Sequence, residues 1–239
     1  MFEETADLYD AFYDGLEKDY ESEARKVMRL VRRHKRRPRT LLDVACGTGR
    51  HLEVFARTLE CVGVDVDAAM LAVAGRRCGA NVELVRANMT TLDLGRRFDV
   101  VTCLFSSIAY NRTVAALRTT VKRLAAHLAP DGVLVVEPWF APDEWHDGHL
   151  GVLVADAAAD DAQRAVRVSR SSRRGALSIL DFDYLIADQQ RTRHVHERHE
   201  LRLFEWQQYL DAFARAGLQV DVDEYGLFGR GLILGVRAA

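Results

Sequence analysis

The 239-residue chain has no apolar run of the roughly 18–20 residues that a helix needs to cross a bilayer, so no membrane-spanning helix is expected. It has no surplus of positive charge either. Its 33 Lys and Arg against 35 Asp and Glu leave a formal net charge of −2, which argues against a nucleic-acid partner. Cysteine is scarce: Cys46, Cys61, Cys78 and Cys103 lack any Cys-x-x-Cys spacing and sit in apolar or helical stretches. Neither a disulfide framework nor a zinc site is indicated, and a reducing compartment suits them. The opening Met1-Phe-Glu-Glu4 is acidic, without the basic start and apolar centre of a signal peptide, so a cytoplasmic location is expected. Lysine is equally scarce, at Lys18, Lys26, Lys35 and Lys122, a bias that points to a GC-rich coding sequence rather than to chemistry. Internal repeats and low-complexity linkers are absent. What is present is ordinary for a globular protein, 49% hydrophobic and 28% charged. The length is about 1.6 times a typical ~150-residue domain, which leaves room for an insertion.

Residues 1–37 carry helical spacing. Leu8, Ala11 and Phe12 share a face with Gly15 and Leu16, and Val27, Leu30 and Val31 repeat the pattern until Pro38 ends it. Short apolar, β-branched runs then alternate with helical stretches. Strands are expected at 40–46, 61–66, 82–85, 98–105 and 132–137, with helices at 50–56, 68–77 and 113–129. Such strands, apolar on both faces, belong to a parallel sheet covered by helices. After Pro138 the rhythm changes to strands without helices. Ser178, Leu180, Phe182, Tyr184 and Ile186 alternate with Ile179, Asp181, Asp183, Leu185 and Ala187, and the charge on the second set lets one face stay wet. A helix at 205–216 and strands at 218–222 and 230–237 close the chain, the last two antiparallel because no helix joins them. The expected fold is α/β: a doubly wound, mostly parallel seven-stranded sheet with an antiparallel β insertion after the fifth strand. Its parts are a helical lid (1–39), a nucleotide-binding core (40–137), the insertion as a substrate or dimer platform (138–204) and a closing helix with two strands (205–239).

Asp43-Val-Ala-Cys-Gly-Thr-Gly49 is the most informative stretch. A strand that ends in glycines and opens a helix is a nucleotide site, because glycine lets backbone approach the ligand. A dinucleotide fingerprint needs a third glycine at position 52, where Leu52 stands, and the Walker Lys-Ser pair is missing too. Gly47 and Gly49, preceded by Asp43, look like the first motif of S-adenosylmethionine (SAM) methyltransferases, whose ligand has no pyrophosphate to seat. Asp65 lies 18 residues past Gly47 at the end of the second strand, where an acid can accept both ribose hydroxyls. Asn88 and Met89 follow the third strand, as an amide for the exocyclic amine of adenine and a thioether for its ring.

The chain resembles a narrower family. Leu41-Leu-Asp-Val-Ala-Cys-Gly-Thr-Gly-Arg-His-Leu52, Phe105-Ser-Ser-Ile108, Glu137-Pro-Trp-Phe140 and Gly229-Arg-Gly-Leu232 are similar to the class I SAM-dependent N,N-dimethyltransferases of TDP-linked aminosugars in antibiotic biosynthesis, of the desosamine and mycaminose type. The likeness runs from Ala6-Asp-Leu-Tyr9 and Lys18-Asp-Tyr20 through Val168-Ser-Arg-Ser-Ser-Arg173 and His199-Glu-Leu-Arg-Leu-Phe204. It implies a Rossmann-like fold, a homodimer and two successive methylations. It departs at Ala87-Asn-Met89 (usually Gly-Asp-Met), at Phe140 (usually Trp) and at Tyr225-Gly-Leu-Phe228 (usually Gly-Gly-Pro-Ser). The last two changes bear on the identity of the sugar.

The resemblance places Tyr20 at the cofactor, with Ala45, His51, Val66 and Leu104 as further contacts beside Asp43, Gly47, Gly49, Asp65, Asn88 and Met89. Tyr9, Tyr13 and Tyr20 would form a lid, a ring near a sulfonium gaining cation–π attraction. Ser106, Ser107 and Tyr110 follow the fourth strand at the ligand-binding edge. Tyr110 is the candidate beside the acceptor amine, as orienting group or proton relay. Glu137 either holds the amine or closes the fifth strand as a structural acid. Trp139 and Phe140 would wall the sugar pocket, and Arg173 and Arg230 would take the two phosphates. His194, His196 and His199 invite a metal, but methyl transfer needs none and the third histidine turns to the other side. The basic run from Arg25 to Arg39 fits a helix C-terminus better than a nucleic-acid surface. The expected activity is N-methylation of a nucleotide-linked deoxyaminosugar. The competing readings are another small amine or hydroxyl acceptor, and a SAM-fold protein without catalysis.

Overall fold

The computed structural model describes residues 4–16, 18–156 and 163–238, so the acidic opening at 1–3 lies outside the described residues. Two helices lead, α1 (Ala6–Asp14) and α2 (Tyr20–Val31). Asp19 starts α2 by accepting the Ser22 N–H at 2.8 Å. Ala6, Leu8 and Phe12 of α1 are buried, but the helix stops before Gly15, so Leu16 leaves the apolar face its spacing assigns it and stands 52% exposed.

The alternating segment then folds as β1 (Thr40–Val44), α3 (Arg50–Phe55), β2 (Glu60–Asp65), α4 (Ala68–Cys78), β3 (Glu83–Arg86), β4 (Phe98–Cys103), α5 (Val114–Ala126) and β5 (Leu128–Val136). One boundary differs from the sequence expectation of a helix to 129. Leu128 already pairs with Phe98, and Pro130-Asp131-Gly132 is a bulge before Val133 pairs with Val100. The insertion is four antiparallel strands, β6 (Leu150–Asp156), β7 (Gln163–Arg174), β8 (Leu177–Asp188) and β9 (Thr192–Arg202). Helix α6 (Trp206–Arg215), β10 (Leu218–Asp223) and β11 (Leu232–Arg237) return to the first sheet, β10 and β11 pairing antiparallel.

The seven strands of that sheet lie in the order β3-β2-β1-β4-β5-β11-β10. Strand β1 is parallel to β2 on one side and to β4 on the other, so the chain reverses direction across the sheet beside it. The loops leaving β1 and β4 diverge there, which opens a crevice at the carboxyl edge. Period-two alternation splits the core between two faces. Leu42, Val44, Val101 and Cys103 join α5 and α6, while Leu41 and Val100 join α2 and α3. Each such fully buried Leu or Val stabilises by about 1.5–3 kcal/mol.

A third cluster ties the ends of the molecule together. Leu8 and Phe12 of α1 pack on Ala155, Ala165, Tyr184, Ile186 and Val195 of the insertion. The opposite face of the insertion exposes Val152, Val154, Val168 and Leu185. Among the described residues no helix is long and apolar enough to cross a membrane.

Candidate active site

A cavity of about 620 Å³ opens between the carboxyl edge of the first sheet, helix α1 and the inner face of the second sheet. Its floor is the glycine turn. The backbone is left-handed at Ala45 (φ +61°), Gly47 (+54°) and Gly49 (+78°). A Cβ at Gly47 would meet nothing within 4 Å, so glycine there serves conformation and an open approach to the ligand. Gly49 has a different task. A Cβ on it would press on Ala74 and Cys78 at 3.1 Å, so it lets α3 pack on α4 and lies off the cavity wall.

Asp65 ends β2 with one oxygen accepting the Gly47 N–H and the other the Asp67 N–H, both at 2.9 Å. Burial raises its pKa, which the two N–H groups counter. Each oxygen keeps lone-pair capacity toward the cavity, which suits two ribose hydroxyls. Asp43, 3% exposed, accepts the Thr102 hydroxyl at 2.7 Å. Val66, Met89 and Leu104 add apolar wall, with Asn111 Nδ2 donating to the Met89 thioether at 3.5 Å. Asn88 corrects one expectation. Its carbonyl oxygen already accepts Thr90 N–H (2.9 Å) and Thr90 Oγ1 (2.8 Å), so the amide offers donors, not an acceptor for an exocyclic amine.

The lid rings line the opposite side. Tyr9 packs tilted against Tyr13 (4.8 Å between centroids), Tyr13 meets Phe105 edge-on (5.0 Å) and Tyr20 meets His51 (5.0 Å). Below them lies Lys18, which the family resemblance names only as part of Lys18-Asp-Tyr20, with no role at the site. Its side chain is 2% exposed, and Nζ reaches both Glu23 oxygens at 2.6 Å while lying over the Tyr20, Phe105 and Phe228 rings. His51 Nε2 contacts the same carboxylate at 2.6 Å. Burial pulls the Lys18 ammonium below its usual pKa, against Glu23.

Glu137 is fully buried and is not on the cavity wall; it is a strut. It accepts the Phe105 N–H at 2.7 Å and Arg230 Nη2 at 3.0 Å. Phe105 (φ +52°) and Ser106 (+58°) are consecutive left-handed non-glycine residues, a strain that such bonds must offset. The strut also aims Arg230 into the cavity, its guanidinium among Trp139, Phe140 and Phe228. Trp139 is fixed by its Nε1 donating to Ser178 Oγ at 2.9 Å.

Ser107 and Tyr110 lie on a 3-10 turn (Ser107–Tyr110) at the cavity wall. Three expected contacts are elsewhere. Ser106 is 1% exposed and donates to the Pro138 carbonyl at 2.7 Å. Phe140 stands behind Trp139, its ring 4.7 Å from the indole. Arg173 is exposed and off the cavity wall, near the end of β7, with its Nε and Nη1 donating to the Gly175 and Pro142 carbonyls. The inner sheet supplies walls that the motifs did not name: Arg167, Leu180, Phe182, Tyr184, His199 and Leu201. Leu180, Phe182 and Tyr184 are the uncharged set of the β8 alternation, so that pattern was their signal. The charged outer set meets His194 and His196, both within 3.1 Å of Asp183. Among the described residues no His, Cys, Asp and Glu cluster is arranged to hold a metal. In the basic run, Lys26 pairs with Asp223 (2.8 Å) and His34 with Asp221 (2.9 Å).

Comparison with known proteins agrees with this geometry. Residues 41–132 match the family model "Methyltransferase domain". The dTDP-3-amino-3,6-dideoxy-alpha-D-glucopyranose N,N-dimethyltransferase of Streptomyces fradiae is 42% identical, the match spanning 99% of this chain and 92% of that one. The crystal structure of Streptomyces venezuelae DesVI superimposes with a TM-score of 0.91 at 39% identity, covering 98% of this chain and 99% of that one. SAM-bound CalS10, an amino pentose methyltransferase from Micromonospora echinaspora, superimposes at 0.84 with 38% identity, covering 96% of each. The chain is a methyltransferase and belongs to the family of SAM-dependent TDP-aminosugar N,N-dimethyltransferases.

Proposed function

We propose that this protein methylates, once or twice, the amino group of a TDP-linked deoxyaminosugar, with SAM as donor and S-adenosylhomocysteine as product. The observation that carries the reading is one cavity with two unlike ends. Gly47, Asp65 and Met89 form a glycine-, acid- and thioether-lined end, and Arg230, locked on Glu137 among aromatic rings, forms the other. The first end fits SAM. The Asp65 oxygens suit ribose, Met89 and Leu104 suit adenine, and the tyrosine rings suit a sulfonium.

Bound SAM supplies a methyl group on a neutral-leaving thioether, so the protein's task is placement. Tyr9, Tyr13 and Tyr20 close over the site and exclude water, Trp139 and Phe182 wall the sugar, and Arg230 takes the diphosphate. Holding an amine lone pair in line with the methyl supplies most of the acceleration, since effective molarities for oriented reactants are worth about 7–11 kcal/mol. Phe140 and Phe228, where this chain departs from its family, both touch Arg230 and would tune the choice of sugar. The exposed Val152, Val154, Val168 and Leu185 suit a homodimer across the second sheet. The site takes a nucleotide-linked small molecule rather than a polymer, and the expected location is the cytoplasm.

The test is turnover against a panel of TDP-3-amino and TDP-4-amino sugars, read by mass for one or two added methyl groups. No product on any of them, together with methylation of a free hydroxyl, would refute the reading.

A further inference from the structure

A second methylation needs a lone pair restored on the nitrogen and a second SAM in place of S-adenosylhomocysteine. As the acceptor nitrogen forms its N–C bond and the C–S pair leaves on sulfur, a neutral amine becomes a secondary ammonium. That ammonium has no lone pair until one proton leaves, and the lid shuts out bulk water. This question rests on the proposed N-methylation of an amine, and the inner sheet holds a set of groups placed to answer it.

Tyr110 Oη is 2.9 Å from His199 Nδ1, and both residues line the cavity. The other ring nitrogen, His199 Nε2, is 3.4 Å from Glu197 Oε2, with His199 2% and Glu197 7% exposed. Glu197 is fixed from two further elements, accepting Thr5 Oγ1 at 2.6 Å and the Tyr184 hydroxyl at 3.3 Å. The carboxylate charge at 3.4 Å favours the ring proton on Nε2, although the pair does not meet hydrogen-bond geometry, and so leaves Nδ1 as acceptor for the phenol. We propose that Tyr110, His199 and Glu197 form the proton exit that converts the monomethylated product into the acceptor for a second methyl. The ammonium N–H breaks toward Tyr110 Oη as the Tyr110 proton passes to His199 Nδ1, and the Glu197 carboxylate balances the imidazolium. The secondary amine regains its lone pair, and the imidazolium loses its proton to solvent when the site reopens.

The surroundings are consistent with that direction. Burial raises the Tyr110 phenol well above its usual pKa, so it relays a proton rather than standing as phenolate. On β7 the Arg167 guanidinium lies 4.4 Å from the Phe182 ring, which itself packs 5.0 Å from His199. That cation opposes a retained ammonium and also opposes the imidazolium, which is why Glu197 is required. The other titratable groups facing the relay are Tyr9 and Tyr13 on α1, Tyr184 on β8 and Asp65, which acts on Tyr110 through its charge. Tyr110 would touch the substrate; His199 and Glu197 are positioning residues that act through it.

The experiment uses full-length wild type, Tyr110→Phe and His199→Gln, with the ratio of dimethyl to monomethyl product followed against pH. Each variant should lower that ratio by on the order of 10–100-fold near neutrality. The loss should be recovered as pH rises and hydroxide replaces the relay, with SAM affinity by calorimetry unchanged. A ratio and pH profile equal to wild type in Tyr110→Phe, which keeps the ring and its packing, would overturn the proposal. A second measurement does not depend on turnover: 15N NMR of histidine-labelled wild type should show His199 as the Nε2–H tautomer. An Nδ1–H tautomer overturns the relay even if the sugar is a substrate. Absence of sugar turnover in wild type would instead overturn the functional reading.

Discussion

Asp43 is the acid whose cost can be measured most directly. It lies one residue before the end of β1, 3% exposed, with Thr102 donating to one oxygen. Burial pushes its carboxyl from 3.8 up to about 6; nearby Asp65 adds to this, and His51 and Thr102 pull it back. The folded state therefore binds this proton more tightly than the unfolded chain does. Such a group contributes stability that is fully present below its unfolded pKa and lost as pH rises through its folded one. At about 1.36 kcal/mol per pKa unit, the difference between the two values is about 3 kcal/mol. Asp43→Asn removes the titration while keeping an oxygen for Thr102. Denaturant melts of both proteins, without SAM, should then diverge with pH. Between about pH 8 and pH 3 the wild type should gain about 3 kcal/mol relative to the variant. Other carboxylates titrate in both proteins and cancel in the difference, as does any constant penalty from the new amide N–H groups. A difference that does not vary with pH would refute the reasoning. The charge is retained despite this cost, so the variant should also bind SAM more weakly.

Asp65→Ala should weaken SAM binding at least hundredfold by calorimetry, since two hydrogen bonds to a charged acceptor are worth about 1.5–3 kcal/mol each. Unchanged affinity would remove Asp65 from the site. Arg230→Ala should raise KM for the TDP-sugar at least tenfold, while Arg173→Ala, whose guanidinium is spent on the Gly175 and Pro142 carbonyls, should change it less than twofold. Equal effects of the two would refute the assignment. Val152→Lys with Leu185→Lys should convert a dimer to a monomer by analytical ultracentrifugation, and a species that stays dimeric would move the interface off the second sheet.

Much of the fold was legible because its signals are local. Each parallel strand is a short β-branched run, and the direction of β11 follows from the lack of a helix before it. The misjudged boundary at Leu128 lies where a helical pattern runs into a strand whose only marker is pairing with Phe98. The proposed cofactor end was readable for the same reason: Asp43, Gly47 and Asp65 are brought to one cavity wall by motif spacing within two adjacent βα units. The substrate end was less so. Arg173 and Arg167 lie six residues apart on β7, and period two puts them on one face; position along the strand separates them, Arg167 opposite Tyr184 and Arg173 opposite Ser178, and no motif says which of the two meets the cavity. Lys18 and His199 gain meaning only from partners on other elements, Phe228 for one and Tyr110 for the other.

The lid and the insertion, separate in sequence, share one core. Leu8 and Phe12 of α1 pack on Tyr184, Ile186 and Val195, and Thr5 reaches Glu197. The helix that carries Tyr9 and Tyr13 over the cofactor end is thus anchored on the sheet that carries Phe182 and His199 at the substrate end. Movement of α1 would disturb both ends together, and the Thr5 contact would loosen Glu197 in the same motion. Opening the lid is then also the event that lets water reach His199. A proton taken up while the site is closed could then leave when it opens, so in the proposed reading the surplus length beyond a bare nucleotide-binding core would couple closure to the chemistry as well as choose the substrate.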